Sequence, residues 1–514
     1  MQSKDSLRLR YLYKLGSSLI NLPLAIIITA LVPRGLGPAA YGNFGFLTNF
    51  FRESINVLDT GTSVALYAKL SRRPSETALI KFYLQFAILI VLFLLLSTAT
   101  IIACTLDHLL WPHQELKYVW MALVFGYLSW FATVIQKLID AFGLTRKGEV
   151  VKVIQKVLSV ILLGTLFFTD HLNLTAFFIY QYIIVLFIIL SWIKILHNNG
   201  IILFFSKNNA VNNTKKYIKE FYIYSAPLFM LTVLGFVANI FERWILQTHS
   251  GSIEQGYYNI SFQISAFCIL FTSAMTPLIL REFAIAHGKA DIRKLRQLFI
   301  DIVPVLVTVA TYFSLFLMFQ ADKIVVFVGG GAFRGAYLPV AIMTMFPIYQ
   351  AYNQLNGSLL KATDQTKRFR DIGISMAVIG IPISYFLLAS RGYLGLNLGA
   401  SGLAVKIVAL QIITVNLRLW FNAKYLKLNF LLYVFHQLFI LVAFSILSLV
   451  AKTISDFIIS QSICAFLLAG LIYTLLIMSL LYCFPQTLFM NRDTLHKKYI
   501  QAFTGLFKRR GSAR

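Results

Sequence analysis

Residues 78–104 read ALIKFYLQFAILIVLFLLLSTATIIAC, and after Lys81 the run carries no charged side chain. A helix rising 1.5 Å per residue needs about 20 apolar residues to cross a hydrocarbon core of about 30 Å. In lipid the backbone must satisfy its own hydrogen bonds, so such a run is read as a membrane helix. Working outward, similar runs lie near 12–33, 41–69, 118–142, 149–168 and 172–196. After a polar stretch at 197–220, further runs lie near 221–247, 257–283, 297–320, 336–361, 372–390, 399–424, 430–451 and 458–482. The expected fold is all-α: a polytopic membrane protein with about 14 transmembrane helices.

Composition points the same way. Of 514 residues, 58% are hydrophobic and 13% charged, against about 25% charged in an average soluble domain. This excludes a soluble enzyme, a disordered chain and a disulfide-stapled secreted domain. The net charge is +26, from 46 Lys+Arg against 20 Asp+Glu. In a soluble chain that surplus would suggest nucleic acid. In a polytopic chain Lys and Arg collect in cytoplasmic loops, so no nucleic-acid partner is expected.

The basic clusters fall on alternate connections. They are Lys69/Arg72/Arg73/Lys81, Arg146/Lys147/Lys152, Lys207/Lys215/Lys216/Lys219, Lys289/Arg293/Lys294/Arg296, Lys367/Arg368/Arg370, Lys424/Lys427 and a tail from Arg492 to Arg514. The opposite loops hold little more than Arg34, Lys117, Lys323, Arg334, Arg391 and Lys452. Both termini are therefore expected in the cytoplasm. The external loops are short, the longest near 321–335, which leaves no room for an extramembrane active site. Cys104, Cys268, Cys464 and Cys483 are scattered, with no CxxC pair. The first apolar run lacks a convincing small-x-small cleavage site, so no cleaved signal is expected.

Two internal matches suggest duplication. Tyr41 and Asn43 at the start of the second span resemble Tyr257 and Asn259, with Tyr41 and Tyr257 offset by 216 residues. The turn Ala141-Phe142-Gly143-Leu144-Thr145-Arg146-Lys147 resembles Ala362-Thr363-Asp364-Gln365-Thr366-Lys367-Arg368, offset by 221. Two six-helix lobes related by a pseudo-two-fold axis follow, at 1–196 and 221–427. A cytoplasmic linker at 197–220 joins them, two additional transmembrane helices occupy 428–484, and a basic tail spans 485–514.

Gly35-Leu36-Gly37-Pro38 with Tyr41-Gly42, then Leu58-Asp59-Thr60-Gly61, Glu242-Arg243, Gly256-Tyr257-Tyr258 and the segment from Gly395 to Gly402, resemble a known family. It is the polysaccharide transporter (Wzx-type O-antigen/exopolysaccharide flippase) branch of the multidrug/oligosaccharidyl-lipid/polysaccharide exporter superfamily. The resemblance implies a bacterial inner-membrane flippase. Its cargo would be an undecaprenyl-diphosphate-linked oligosaccharide, moved from the cytoplasmic to the outer leaflet for surface polysaccharide or lipopolysaccharide synthesis. It implies a cation-lined cavity and no cofactor. Expected partners are the lipid-linked oligosaccharide, bilayer lipids, and polysaccharide polymerase and chain-length proteins, with a monomer as the working unit.

Polar residues at bilayer depth are costly and usually face a cavity or a partner. Asn49, Arg52, Asn56, Asp59 and Ser63 recur at spacings of 3, 4, 3 and 4, one face of a helix, with Glu53 beside them. Two readings stand. The stripe is interhelical glue with Arg52 neutralised by Glu53 or Asp59, or it lines a watery lumen where Arg52 binds an anion. A stripe four turns long exceeds the needs of one glue contact. Gln350, Gln354, Gly357 and Lys361, with Asn353 alongside, repeat the pattern and suit either sugar hydroxyls or packing.

Lys406 lies about two turns into its span, at a lumen or snorkelling to the interface. Glu242 and Arg243 read as an interfacial ion pair or gate, Arg34 as an interface anchor, and Gln136 with Asp140 as an i,i+4 pair near a solvated turn, with Lys137 alongside. Pro23 and Pro227 suggest bent first helices. His108 and His113 flank a loop and do not make a metal site, and no hydrolase or nucleotide-binding motif occurs. A cation-coupled drug or metabolite antiporter and a lipid II flippase remain as alternative functions. A membrane enzyme would need a larger external loop.

Overall fold

In a computed structural model the chain is described over residues 7–74, 76–201 and 214–489. The middle of the expected linker (202–213) and most of the expected basic tail (490–514) lie outside these residues. Among the described residues there are 17 α-helices and no strand. They are α1 (Leu7–Asp59), α2 (Thr62–Arg72), α3 (Thr77–Ala103), α4 (Asp107–Leu110), α5 (Leu116–Ala141), α6 (Thr145–Phe168), α7 (Leu174–Asn198) and α8 (Thr214–Phe267). There follow α9 (Leu270–Gly288), α10 (Ile292–Phe319), α11 (Ala321–Gly329), α12 (Tyr337–Met343), α13 (Phe346–Ala362), α14 (Thr366–Leu388), α15 (Gly399–Leu426), α16 (Phe430–Ile458) and α17 (Ser462–Cys483).

Eleven helices are long and apolar enough to cross a membrane, which makes this a multi-pass membrane protein. The expected count of about 14 is not reproduced by that measure, for a physical reason. The apolar parts of α1 and α8 are 40 and 39 residues long and count once each, although a single pass needs about 20. The 17-residue α13, rich in Gln and Asn, is too short and polar to qualify. The expected external loop at 321–335 is folded, as α11 and a 3-10 turn at Gly331–Ala336.

Both long helices break at a glycine. The backbone leaves helical angles at Gly37 (φ 74°, ψ 170°) and at Gly251 (φ 80°, ψ −174°), left-handed φ values that glycine tolerates without a Cβ penalty. Pro38 favours the extended ψ of the residue before it. Pro23 and Pro227, expected to bend these helices, are not the break points.

Beyond the breaks the two helices meet closely. A Cβ on Gly42 would sit 1.8 Å from the Ser252 carbonyl oxygen, and one on Gly256 would sit 2.1 Å from that of Pro38. Gly37/Gly251, Pro38/Ser252 and Gly42/Gly256 are each 214 residues apart. The register of the repeat here is therefore 214, two residues off the tyrosine match, because backbone approach constrains the glycines and not the tyrosines. The second match keeps its offset: α5 and α13 end at Ala141 and Ala362, and α6 and α14 begin at Thr145 and Thr366.

The chain divides into two compact units. The first comprises Met1–Asn259, Val328–Phe333 and Ala377–Ala400. Its core joins α1, α2, α3, α5 and α7 through Phe46, Phe51, Leu66, Tyr83, Val119 and Phe178, all nearly inaccessible. Phe44 touches Phe125, Phe177 and Phe178 with ring centroids 4.7–5.8 Å apart. Polar ties supplement this packing. The buried Glu149 on α6 accepts from Ser17 of α1 at 2.5 Å and from Lys152 at 2.8 Å, and Glu254 accepts from the Ala400 N–H at 2.7 Å.

The second unit comprises Ile260–Phe327, Arg334–Met376 and Ser401–Arg514. Its core is built on α10, α13, α15, α16 and α17, with Phe299, Tyr352, Tyr433, Phe444 and Tyr473 buried. Tyr473 of α17 stacks on Tyr312 of α10 at 5.1 Å. Ion pairs of Lys323 with Asp456, and of Lys452 with Asp322 at 2.9 Å, fasten α11 to α16.

Candidate functional site

The part of α1 after Gly37 carries the expected polar stripe. Its central member, Arg52, has a side chain 66% exposed within an apolar span. Its guanidinium donates to Asn49 Oδ1 at 2.6 Å and pairs with Glu53 at 3.3 Å, and Asn56 donates to the other Glu53 oxygen at 3.4 Å. Asn49, Arg52, Glu53 and Asn56 thus form one connected face. Its acidic member is half of a weak pair and does not cover the arginine.

Asp59 ends the stripe differently. Helix α1 stops there, Thr60 (φ 39°) and Gly61 (φ 77°) turn the chain, and α2 begins at Thr62. The Asp59 carboxylate accepts from the Ser63 N–H (2.9 Å), Ser63 Oγ (2.6 Å), Thr62 Oγ1 (2.6 Å) and Tyr83 OH (3.0 Å). That is a capping arrangement, with a negative charge at the N-terminal end of α2. Lys137 of α5 reaches the same junction, donating to Ser63 Oγ at 2.5 Å. Asp140, expected beside it, accepts instead from Thr145 Oγ1 across the α5–α6 turn at 2.9 Å.

Arg243 is placed with Arg52. It lies on α8 before the Gly251 break, and the charges of Arg52 and Glu242 act on its own. Its NH1 donates to Gln255 Oε1 at 2.8 Å, and the guanidinium lies 4.2 Å from the centre of the Tyr258 ring. The Gly251 turn carries Gln255 and Tyr258 onto it, so the break in α8 positions this cation. Two guanidiniums from α1 and α8 therefore repel one another within one compact unit, which favours an anion between or beside them. Glu242 is buried next to Arg243. The sequence separated Arg243 from Arg52 as a gate residue. Gln255 and Tyr258, four and seven residues past Gly251, were not assigned to it, although Tyr258 belongs to the Gly256-Tyr257-Tyr258 run that carries the resemblance.

The other expected residues go elsewhere. Arg34 is exposed, before the Gly37 break, with its stem 3.5 Å from where a Cβ on Gly330 would lie. Lys406 is buried on α15 in the second unit. Gln350, Asn353 and Gln354 face protein partners in that unit. Gln350 accepts from Gln411 (2.6 Å) and Asn353 (3.4 Å), while Gln354 bonds Thr276 (3.1 Å) and Ser273 (3.3 Å). Asn353 accepts from Arg418 and Asn356 from Asn422 (2.8 Å), a polar zipper between α13 and α15. Arg418 was missed, although Gln411, Thr414, Arg418 and Asn422 recur at spacings of 3, 4 and 4. Among the described residues no cluster of three or more His, Cys, Asp or Glu could hold a metal.

A further cluster joins the ends of α2 and α8. Glu220 accepts from Lys69 at 2.5 Å and from Arg73 at 3.0 Å, Arg73 pairs with Glu76 at 3.1 Å, and Tyr217 donates to Glu76 at 2.9 Å. The hydrogen bond from Lys69 is the main force holding the Glu220 carboxyl below the usual glutamate range.

Comparison with known proteins places this geometry. Residues 11–279 match the family model described as polysaccharide biosynthesis protein. Among curated proteins none matches the chain. Of solved structures, the lipid II flippase MurJ in an inward closed conformation is similar at a TM-score of 0.66 and 12% identity, covering 92% of this chain and 99% of that one. An inward-facing multidrug resistance MATE family transporter of the MOP superfamily is similar at 0.59 and 15% identity, covering 80% and 94%. A MOP-superfamily transporter from Pyrococcus furiosus, described as having a binding pocket of reverse polarity, is similar at 0.50 and 14% identity, covering 80% and 94%. At these identities the likeness is one of fold.

Proposed function

We propose, from the premise that this chain belongs to the polysaccharide biosynthesis protein family of membrane exporters, that it is a flippase for undecaprenyl-diphosphate-linked oligosaccharide. It carries the repeat unit from the cytoplasmic to the outer leaflet of the bacterial inner membrane for surface polysaccharide synthesis. The observation that carries this reading is the pair of guanidiniums, Arg52 and Arg243, that share one field inside apolar helices of the first unit.

A diphosphate accepts charge-assisted hydrogen bonds, and arginine presents a planar fork suited to it. Asn49, Glu53 and Asn56 supply donors and acceptors for the first sugars. Moving negative charge outward across an inside-negative potential releases about 2.3 kcal/mol per charge per 100 mV, so translocation needs no nucleotide hydrolysis. In this reading the lobes 1–196 and 221–427 alternate the access of that face, with both termini cytoplasmic. The antiporter alternative relied on Asp59 as a coupling carboxylate. The engagement of its oxygens by four donors speaks for a structural task instead.

The test is charge reversal in cells. Arg52→Glu, inserted at the wild-type level, should lose at least about 90% of surface glycan, since one charge-assisted contact is worth about tenfold. Full surface glycan from that variant would overturn the reading. Export of cationic drugs, but not of labelled glycolipid, by the wild type would favour the antiporter.

A further inference from the structure

We propose that Arg418 and Lys361, gathered around Phe369 in the second unit, form a separate site for a phosphate group. Arg418 is 5% exposed, and its guanidinium lies 4.1 Å from the centre of the Phe369 ring. Its NH1 donates to Asn353, but its Nε is buried with no hydrogen-bond partner. Among the described residues no carboxylate lies within ion-pair distance of it. The Lys361 ammonium approaches the same ring at 4.4 Å, and the two charges repel.

Arginine cannot shed its charge here, and a buried unpaired charge is costly. The aromatic ring and one asparagine compensate a guanidinium only in part. An anion would complete the set, filling the Nε donor and bridging to Lys361. The backbone leaves room for it. A Cβ on Gly373 would meet nothing but the Arg418 NH2, at 4.0 Å, and Gly357 brings α13 against Phe369.

The surroundings attract anions too. Residues 361–373 and 411–427 hold seven cations (Lys361, Lys367, Arg368, Arg370, Arg418, Lys424, Lys427) against Asp364 and Asp371. Asp371 already pairs with Arg370 at 2.8 Å, and Asp364 faces His287 at 3.7 Å. Phosphate is the group that suits a guanidinium and an ammonium together. This inference does not rest on the transport reading, because it concerns other residues in the other compact unit.

The test is phosphate retention by the purified full-length chain in detergent, read by native mass spectrometry. The probes are phosphatidylglycerol, phosphatidylcholine and inorganic phosphate. Wild type should retain a phosphate species, and Arg418→Gln and Lys361→Gln should each lower its affinity about tenfold, the worth of one charge-assisted contact. The same loss should appear when both variants are made in an Arg52→Glu background, which removes any phosphate held at the other site. Retention of phosphatidylglycerol that inorganic phosphate does not displace assigns the site to a lipid headgroup, and displacement assigns it to free phosphate. Equal retention with and without Lys361→Gln in the Arg52→Glu background overturns the proposal, as does complete loss of retention in Arg52→Glu alone.

Discussion

Arg52 and Asp59 lie on one helical face seven residues apart, yet they do different work. The spacing of 3, 4, 3 and 4 made the face legible from the sequence. The end of the helix was less so. Leu58-Asp59-Thr60-Gly61 followed by Thr62 and Ser63 is a stop-and-cap signal, but the polar period runs straight through it. Arg418 escaped notice because the polar residues of α15 are not confined to one face: Lys406, Asn416 and Lys424 lie off the Gln411, Thr414, Arg418 and Asn422 stripe. Asp59→Ala should destabilise the purified protein by about 1–3 kcal/mol, because four donors lose their acceptor. Asp59→Asn, which keeps an acceptor, should lose less. Thermal melting in detergent reads both, and an Asp59→Ala protein that melts with the wild type would contradict the capping role.

At the scale of elements, α1 and α8 were each read as two helices, and each does divide in two, at Gly37 and Gly251. Arg243 does lie near the end of the first of these segments, before the Gly251 break; what hydropathy does not show is that the break brings Gln255 and Tyr258 onto it. The reciprocal approach of Gly42 and Gly256 leaves no space for a side chain. Gly42→Ala should cost about 1–3 kcal/mol by overpacking, while Gly235→Ala, with nothing within 4 Å, should be neutral or stabilising by up to about 1 kcal/mol. Equal melting temperatures for the two variants would refute the close crossing.

The tie between α2 and α8 is a pH-dependent element. The folded state depresses the Glu220 pKa, so its contribution is complete above the unfolded value of about 4.3. It is lost as pH falls through the lower folded value. Pairs this exposed are worth about 0–1 kcal/mol. Glu220→Gln should therefore melt slightly below wild type at pH 7, with the gap closing under acid conditions below pH 4. A gap that widens on acidification would reverse the assigned sign.

For the whole molecule, membrane class and all-helical architecture were legible in composition and in runs like 78–104. The +26 charge, alarming for a soluble protein, is mostly distributed among the connections between apolar runs. Arg52, Arg243 and Arg418 are among the arginines that depart from that pattern, lying within helices long and apolar enough to span. The boundary between compact units falls at Asn259/Ile260 within α8, which no linker composition announces, because the helix is continuous there.

The central claim is that Arg52 and Arg243 hold the anionic headgroup during translocation. It is tested most directly by reconstituting the protein in vesicles with fluorescent undecaprenyl-diphosphate oligosaccharide and following its movement between leaflets under an imposed potential. Wild type should move the lipid faster as the receiving side becomes more positive. Arg52→Lys should retain part of that rate, and Arg52→Glu should fall by about tenfold or more. A wild-type rate from correctly inserted Arg52→Glu would contradict the account.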